Sequence, residues 1–243
     1  MRQVVGGDVP HSSSRLHHKM HSRLYKTQVR AMSVLGKFIT IEGGEGAGKS
    51  TNIVCVERYL RDKGIKFIKT REPGGTLLAE EVRKLLLAQY DEKMSEKTEL
   101  LLMFAARAQH IQQKILPALQ AGLWVVCDRF TDATYAYQGG GRGLSENIIA
   151  ALEQLVQEGL QPDLTLLLDV DEAVGLARAG TRSKPDRFES ENTRFFVRVL
   201  GVYRQRAVQY SQRFRVINAG QELENVQRDI IVELEKFMAA HGN

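Results

Sequence analysis

Phe38-Ile39-Thr40-Ile41-Glu42-Gly43-Gly44-Glu45-Gly46-Ala47-Gly48-Lys49-Ser50-Thr51 is the stretch on which the fold turns. An apolar run with strand character over 37–42 leads into GxxxxGK[ST], and a helical pattern follows over 49–63. The glycines let the backbone curl until successive N–H groups face one point, and the helix behind adds the positive end of its dipole. That is a cradle for an anion. Gly43, Gly44, Glu45, Gly46, Ala47, Gly48, Lys49, Ser50 and Thr51 are therefore the expected ATP-binding residues. In this motif the lysine reaches the β- and γ-phosphates, and the Ser50 hydroxyl is placed for Mg²⁺. A plain glycine-rich turn is the competing reading, and the strand before and helix after speak against it.

Outward from this loop, short apolar runs alternate with longer amphipathic ones. Strands are expected at 37–42, 65–70, 123–127, 164–169 and 214–218. Helices are expected near 49–63, 77–88, 97–120, 145–158, 171–179, 189–211 and 223–240. Gly64, Gly122 and Gly159 fall just past helices, where a left-handed cap is wanted. Nearly continuous apolar strands separated by helices indicate a parallel sheet covered on both faces. The expected fold is α/β: a doubly wound, five-stranded parallel sheet flanked by helices.

The chain has 243 residues, 43% hydrophobic and 26% charged, ordinary for a globular domain. No apolar run of about 18 residues occurs, so no membrane partner is expected. The net charge of +5 is local. Residues 1–36 carry Arg2, Arg15, Lys19, Arg23, Lys26 and Arg30 against Asp8 alone, leaving 28 bases and 28 acids in the remainder. A nucleic-acid partner is therefore not expected. Residues 1–36 read as a disordered basic extension, and 37–243 as the folded domain. The extension is open to three explanations: a transit peptide, a histidine tract for metal, or a start assigned upstream of the true one. Met32, just before the first strand, favours the last. Cys55 and Cys127 lie outside any metal-ligand spacing and read as buried thiols in a reducing cytoplasm.

A phosphate loop leaves many activities open. A guanine-reading N/TKxD element is lacking, which argues against a GTPase. Ligands of open α/β sheets bind at the carboxyl ends of strands, and the third strand ends in Asp128-Arg129. Asp128 could hold Mg²⁺ through water, and Arg129 could grip a phosphate with two parallel bonds. The bland alternative is an ion pair closing a strand.

Four stretches carry a resemblance. They are Thr70-Arg71-Glu72-Pro73-Gly74-Gly75-Thr76, the segment from Cys127 to Gly139, Gln138-Gly139-Gly140-Gly141-Arg142-Gly143, and Pro162 to Asp169. In content and order the chain from about Phe38 onward resembles thymidylate kinases of the bacterial type. The resemblance implies ATP and dTMP as substrates and Mg²⁺ as cofactor. It implies that Glu45 points toward the acceptor's sugar and phosphate, that Arg129 clamps that phosphate, and that Arg71 and Glu72 lie in a loop facing it. Thr134 would read the thymine edge and Arg107 a thymine carbonyl. Tyr137 would sit under the deoxyribose, where a ribose 2′-hydroxyl would clash, and Gln138 would line the same pocket. Phe104 would stack on the base. The family spacing places an aromatic residue four before the arginine, where this chain has Met103. Ala133, where many members have serine, is a second departure.

Arg178, Arg182 and Arg187 surround a Gly- and Pro-containing segment, taken as a lid near 178–189. Family members whose phosphate loop lacks arginine supply lid cations, so Arg182 and Arg187 are expected beside Lys49 and Arg129 as catalytic groups, with Arg178 at ATP. The resemblance further implies a homodimer, with helices near 97–120 and 145–158 as candidates for the interface. Two rival readings remain: a kinase for another nucleoside monophosphate, and a non-catalytic nucleotide switch.

Overall fold

The computed structural model describes residues 36–179 and 187–241. Nearly all of the expected extension, and with it Arg182 and most of the expected lid, lie outside the described residues.

Five parallel strands, β1 (Phe38–Gly43), β2 (Phe67–Arg71), β3 (Trp124–Asp128), β4 (Leu164–Asp169) and β5 (Phe214–Asn218), form one sheet in the order β2-β3-β1-β4-β5. The helices are α1 (Lys49–Asp62), α2 (Leu77–Leu87), α3 (Glu96–His110), α4 (Thr131–Thr134), α5 (Glu146–Gln157), α6 (Glu172–Ala179), α7 (Thr193–Gln209) and α8 (Leu223–His241). Each expected strand is present, with ends shifted by no more than two residues. Gly64, Gly122 and Gly159 all have positive φ, as their places after helices required.

Alternation along the strands feeds two cores. Ile39 and Ile41 of β1, with Leu164, Leu166 and Leu168 of β4, pack against Val56 and Leu60 of α1 and Leu234 of α8. Phe38, Val125 and Cys127 point to the other face, onto Ile111, Ile115 and Leu119. Leu167 and Phe214 meet Phe195, Val199 and Tyr203 of α7 on that side too. The register sets the site: Ile41 pairs with Asp128, and Arg71 also pairs with Asp128, so the carboxyl ends of three strands come level.

Two stretches depart from expectation. The helix expected over 97–120 is α3, then a wider π turn at Ile111–Ile115, then Leu116–Gln120. Pro117 lacks an N–H and crowds the carbonyl four residues back, which fits the break in the regular ladder just before it. Between β3 and α5 no element was expected, yet α4 continues as a π turn through Tyr135–Gly141. Three glycines in a row hide this helix from the sequence. They are there for packing: a Cβ on Gly141 would lie 2.4 Å from the Phe195 ring, and one on Gly140 2.9 Å from the Arg198 carbonyl. Arg198 of α7 also donates to the Gly140 and Gly141 carbonyls at 2.9 and 2.6 Å.

Candidate active site

The loop after β1 turns through left-handed Gly46 and Gly48, with φ of +68° and +84°. A Cβ on Gly46 would fall 1.9 Å from the Gly175 carbonyl of α6, so only glycine lets the loop sit back on that helix. Lys49 Nζ donates to the carbonyls of Gly43 at 3.1 Å and Gly44 at 2.8 Å, holding the ammonium over the loop. Burial first, then the Arg129 cation, lowers its pKa to about 8 against the pull of Glu45, Asp128 and Glu42. An arriving polyphosphate would reverse that shift.

A cavity of about 220 Å³ opens beside the loop. Glu45 to Ser50 line it together with Glu72, Arg107, Asp128, Arg129, Thr134, Tyr137 and Gln138. The residues expected to hold the acceptor are largely those brought together. Arg129 sits immediately after β3 with φ of +66°, a left-handed conformation for a residue with a side chain. Its guanidinium donates to Glu45 Oε1 at 2.7 Å, the Gly43 carbonyl at 3.0 Å and the Tyr137 hydroxyl at 2.9 Å. The Tyr137 hydroxyl in turn donates to Glu45 Oε1 at 2.8 Å. Burial works against the Glu45 carboxylate, but Arg129, Lys49 and these hydrogen bonds outweigh it and bring its pKa down to about 2. Burial keeps the Tyr137 phenol well above its ordinary range, hence neutral and able to donate.

At the other end, Arg107 Nε donates to Glu72 Oε2 at 2.7 Å and Nη2 to Thr134 Oγ1 at 2.9 Å. Its Nη1 is buried with no hydrogen-bond partner. Glu72 Oε1 meets His110 Nδ1 at 2.9 Å, and His110 Nε2 meets Thr70 Oγ1 at 2.6 Å. Burial disfavours the Glu72 carboxylate, yet Arg107 and His110 hold its pKa below the usual range. A buried donor without an acceptor costs about 1–3 kcal/mol, so a ligand that supplies one at Nη1 recovers that energy.

Asp128 and Ser50 both line this cavity and a second one beside it. Asp128 Oδ1 is buried without a hydrogen-bond partner. An unsatisfied carboxylate oxygen near a hydroxyl at the phosphate loop is the donor set a hard cation takes, so these residues fit Mg²⁺. Among the described residues no group of three or more His, Cys, Asp or Glu forms a protein-only metal cluster.

Four expected site residues are placed elsewhere. Phe104 is buried with Leu100, Tyr135 and Ile149, and the neighbouring Met103 faces the cavity instead. One residue is about 100° of helix rotation, and that turns the ring into the core. Phe104 does flank the Arg107 guanidinium, 4.8 Å from ring to charge. Arg187 is bound to Glu99 at 2.6 Å and to the Leu86 carbonyl at 2.8 Å, away from the loop. Glu99 is almost wholly buried and draws Arg142, Arg187 and Gln138 together to satisfy it. Arg178 donates to the Ala219 carbonyl after β5 at 2.8 Å and does not line the cavity. Arg71 is paired with Glu80 at 2.8 Å and lines the second cavity. Sequence reasoning missed Glu42, His110 and Tyr203, none of which lies in a recognisable motif. Their helical or strand periodicity marks them only as inward-facing.

Amides, an ammonium and a guanidinium converge here from neighbouring parallel strands, an arrangement that defines a P-loop phosphotransferase. Comparison with known proteins narrows the class. The thymidylate kinase family profile matches residues 41–230. The thymidylate kinase of Teredinibacter turnerae is 58% identical over 203 residues, covering 84% of this chain and 99% of the relative. That of Ectopseudomonas mendocina is 59% identical over 205 residues, covering 84% and 98%, and that of Pseudomonas putida is 61% identical over 195, covering 80% and 93%. This chain belongs to the thymidylate kinase family.

Proposed function

We propose that this enzyme transfers the γ-phosphoryl group of ATP to dTMP, giving dTDP and ADP. The observation that carries the reading is the Arg129 guanidinium, fixed by Glu45 and Tyr137 and meeting Lys49 at the Gly43 carbonyl beside the cavity. Loop amides and Lys49 hold the donor, while Arg129 grips the acceptor's phosphate. The two meet end to end. dTMP is largely a dianion at neutral pH, since a phosphate monoester has a second pKa of about 6. No general base is therefore needed, and the chain's work is positioning, charge stabilisation and exclusion of water. Mg²⁺ held by Ser50 and Asp128 would neutralise phosphate charge. Arg182, outside the described residues, is the lid cation assigned on sequence grounds.

Arg107 separates thymine and uracil from cytosine. Its unpaired Nη1 asks for an acceptor, which the carbonyl of thymine or uracil supplies and the amino group of cytosine does not. Tyr137 and Glu45 crowd the sugar, which favours a deoxyribose. A coupled ADP-release assay with dTMP, dUMP, dCMP, UMP and CMP at fixed ATP and Mg²⁺ tests the whole reading. dTMP should be strongly preferred. A preference for CMP, or ATP hydrolysis indifferent to dTMP, would defeat it.

The subunit is further proposed to pair through α3 and α5. Leu101 of α3 and Ile148 and Leu155 of α5 stand 58%, 47% and 71% exposed, on two helices that pack together through Leu100 and Ile149. Light scattering should give twice the chain mass, and a monomer at micromolar concentration would refute the pairing. Two buried free thiols suit a cytoplasmic enzyme.

A further inference from the structure

Glu42, the penultimate residue of β1, is fully buried and lines neither cavity. Its carboxyl group is nonetheless fully engaged. Oε1 accepts the Phe130 backbone N–H at 2.7 Å, and Oε2 accepts the Tyr203 hydroxyl at 2.7 Å. Both partners lead to one place. Phe130 follows Arg129, whose left-handed backbone is the single non-glycine conformation of that kind at the cavity among the described residues. Tyr203, from the middle of α7, accepts in turn from Arg129 Nη1 at 3.4 Å.

Sterics disfavour a left-handed arginine, so surrounding bonds must impose it. The Arg129 amide donates to the Ile41 carbonyl at 3.0 Å, which fixes the approach to the turn. The Phe130 amide fixes the exit, and among the described residues Glu42 is its acceptor. Without that acceptor a wholly buried N–H would be stranded, and the turn would relax toward a conformation that finds another partner. Glu45 and Tyr137 hold the guanidinium from the substrate side. Behind it stand the Gly43 carbonyl at 3.0 Å and Tyr203, itself held by Glu42.

We infer that Glu42 is a positioning residue for the acceptor-phosphate clamp, fixing the Arg129 turn through the Phe130 amide and the Arg129 guanidinium through the Tyr203 phenol without touching either substrate. The inference rests on Arg129 gripping dTMP, as proposed above. It adds the reason an acid is buried behind the loop, where a leucine would pack as well. Position 42 needs two hydrogen-bonding atoms at fixed separation and does not need a negative charge. A glutamine supplies them: its oxygen accepts from Phe130 and its amide nitrogen donates to Tyr203.

The test compares Glu42→Gln, Glu42→Ala and Tyr203→Phe with the wild-type enzyme. It reads dTMP and ATP kinetics, and the Nε–H resonance of Arg129 in the ligand-free protein. Glu42→Gln should keep kcat/KM for dTMP within about threefold of wild type and leave the resonance in place. Glu42→Ala should lose about 10²-fold in kcat/KM for dTMP with ATP KM within about threefold, and Tyr203→Phe about tenfold, since removing a bond that aligns a charge-stabilising group commonly has effects of this size. The resonance should shift or broaden in both. Should Glu42→Ala fail to fold, Tyr203→Phe decides alone. Wild-type dTMP kinetics and an unmoved resonance in Tyr203→Phe would overturn the inference, as would a parallel loss for ATP and dTMP. Absence of dTMP turnover in the wild-type enzyme would defeat the proposed activity instead, and the resonance would still report on the positioning.

Discussion

Replacing Arg129 with alanine removes the group on which the proposed reaction leans hardest. In the free protein it deletes a charge-assisted bond to Glu45 at 2.7 Å and bonds to Gly43 and Tyr137 at 3.0 and 2.9 Å. Glu45 then keeps Lys49 as its nearest cation, so its carboxylate is less well compensated. Removing one partner of a buried ion pair costs about 3–5 kcal/mol, an upper bound for this pair, whose side chains keep 16% and 19% exposure. A similar loss at the acceptor phosphate corresponds to a fall in kcat/KM for dTMP of between about 10²- and about 5 × 10³-fold. With ATP proposed to meet the loop amides and Lys49, its KM should stay within about threefold. Initial rates of ADP release over a matrix of ATP and dTMP concentrations separate the two. A loss for dTMP below about tenfold, or an equal rise in the ATP KM, would refute the clamp assignment.

A partner variant controls for the backbone. At φ of +66° glycine is at ease and alanine is not, so Arg129→Gly should be about 1 kcal/mol more stable than Arg129→Ala. For a domain of this size that is a difference in Tm of about 2–4 °C. Both variants lack the guanidinium and should be equally poor with dTMP. Equal stability would mean that the turn relaxes once the side chain is gone.

Three further outcomes follow from the geometry. Burial and the nearby Asp132 carboxylate raise the Glu42 pKa from 4.5 to about 8; between these values the native state holds more protons than the unfolded one, so stability should fall as pH rises, by at most about 1.4 kcal/mol per unit from this group. Urea unfolding at pH 6 and pH 8 reads that slope, and Glu42→Gln should flatten it; an unchanged slope would contradict the shift. Met103→Ala should raise the dTMP KM severalfold and destabilise less than Phe104→Ala, which should cost about 3–5 kcal/mol as a core truncation; the reverse pattern in paired thermal melts and kinetics would restore Phe104 to the base. Asp128→Asn should raise the Mg²⁺ concentration needed for half-maximal rate about tenfold or more, and an unchanged metal titration would remove Asp128 from the cation site.

What the sequence made legible shares one property: it is written in neighbouring residues. A phosphate loop needs consecutive amides and a helix start, so Gly43 to Thr51 declare it in one line. The central strands β1, β3 and β4, buried on both faces, are nearly continuous apolar runs, and the shorter apolar runs of edge strands β2 and β5 were found beside them. The Thr131–Gly141 helix stayed hidden because local propensity reads Gly139 to Gly141 as loop, while its stability comes from α7, some sixty residues later. Phe104 and Met103 differ by one step of the helix, and which of the two faces the cavity depends on how α3 is rotated in the fold.

The charged residues divide along the same line. Arg129 was legible because a strand end fixes where it stands, and Lys49 because the loop does. Arg187 was not, because a cation in a loop goes to whichever buried anion lies within reach, and sequence does not say that Glu99 is buried 88 positions earlier. The same distance hides Glu42 and Tyr203, 161 positions apart and joined at 2.7 Å. A substrate-facing group must meet a ligand of fixed shape, which confines it to a recognisable motif. A group that supports it from behind need only arrive at the right point from anywhere in the chain. The positions that aim Arg129 and Arg107 are therefore the ones that only three-dimensional contacts reveal: Glu42 and Tyr203 for the first, Glu72 and His110 for the second.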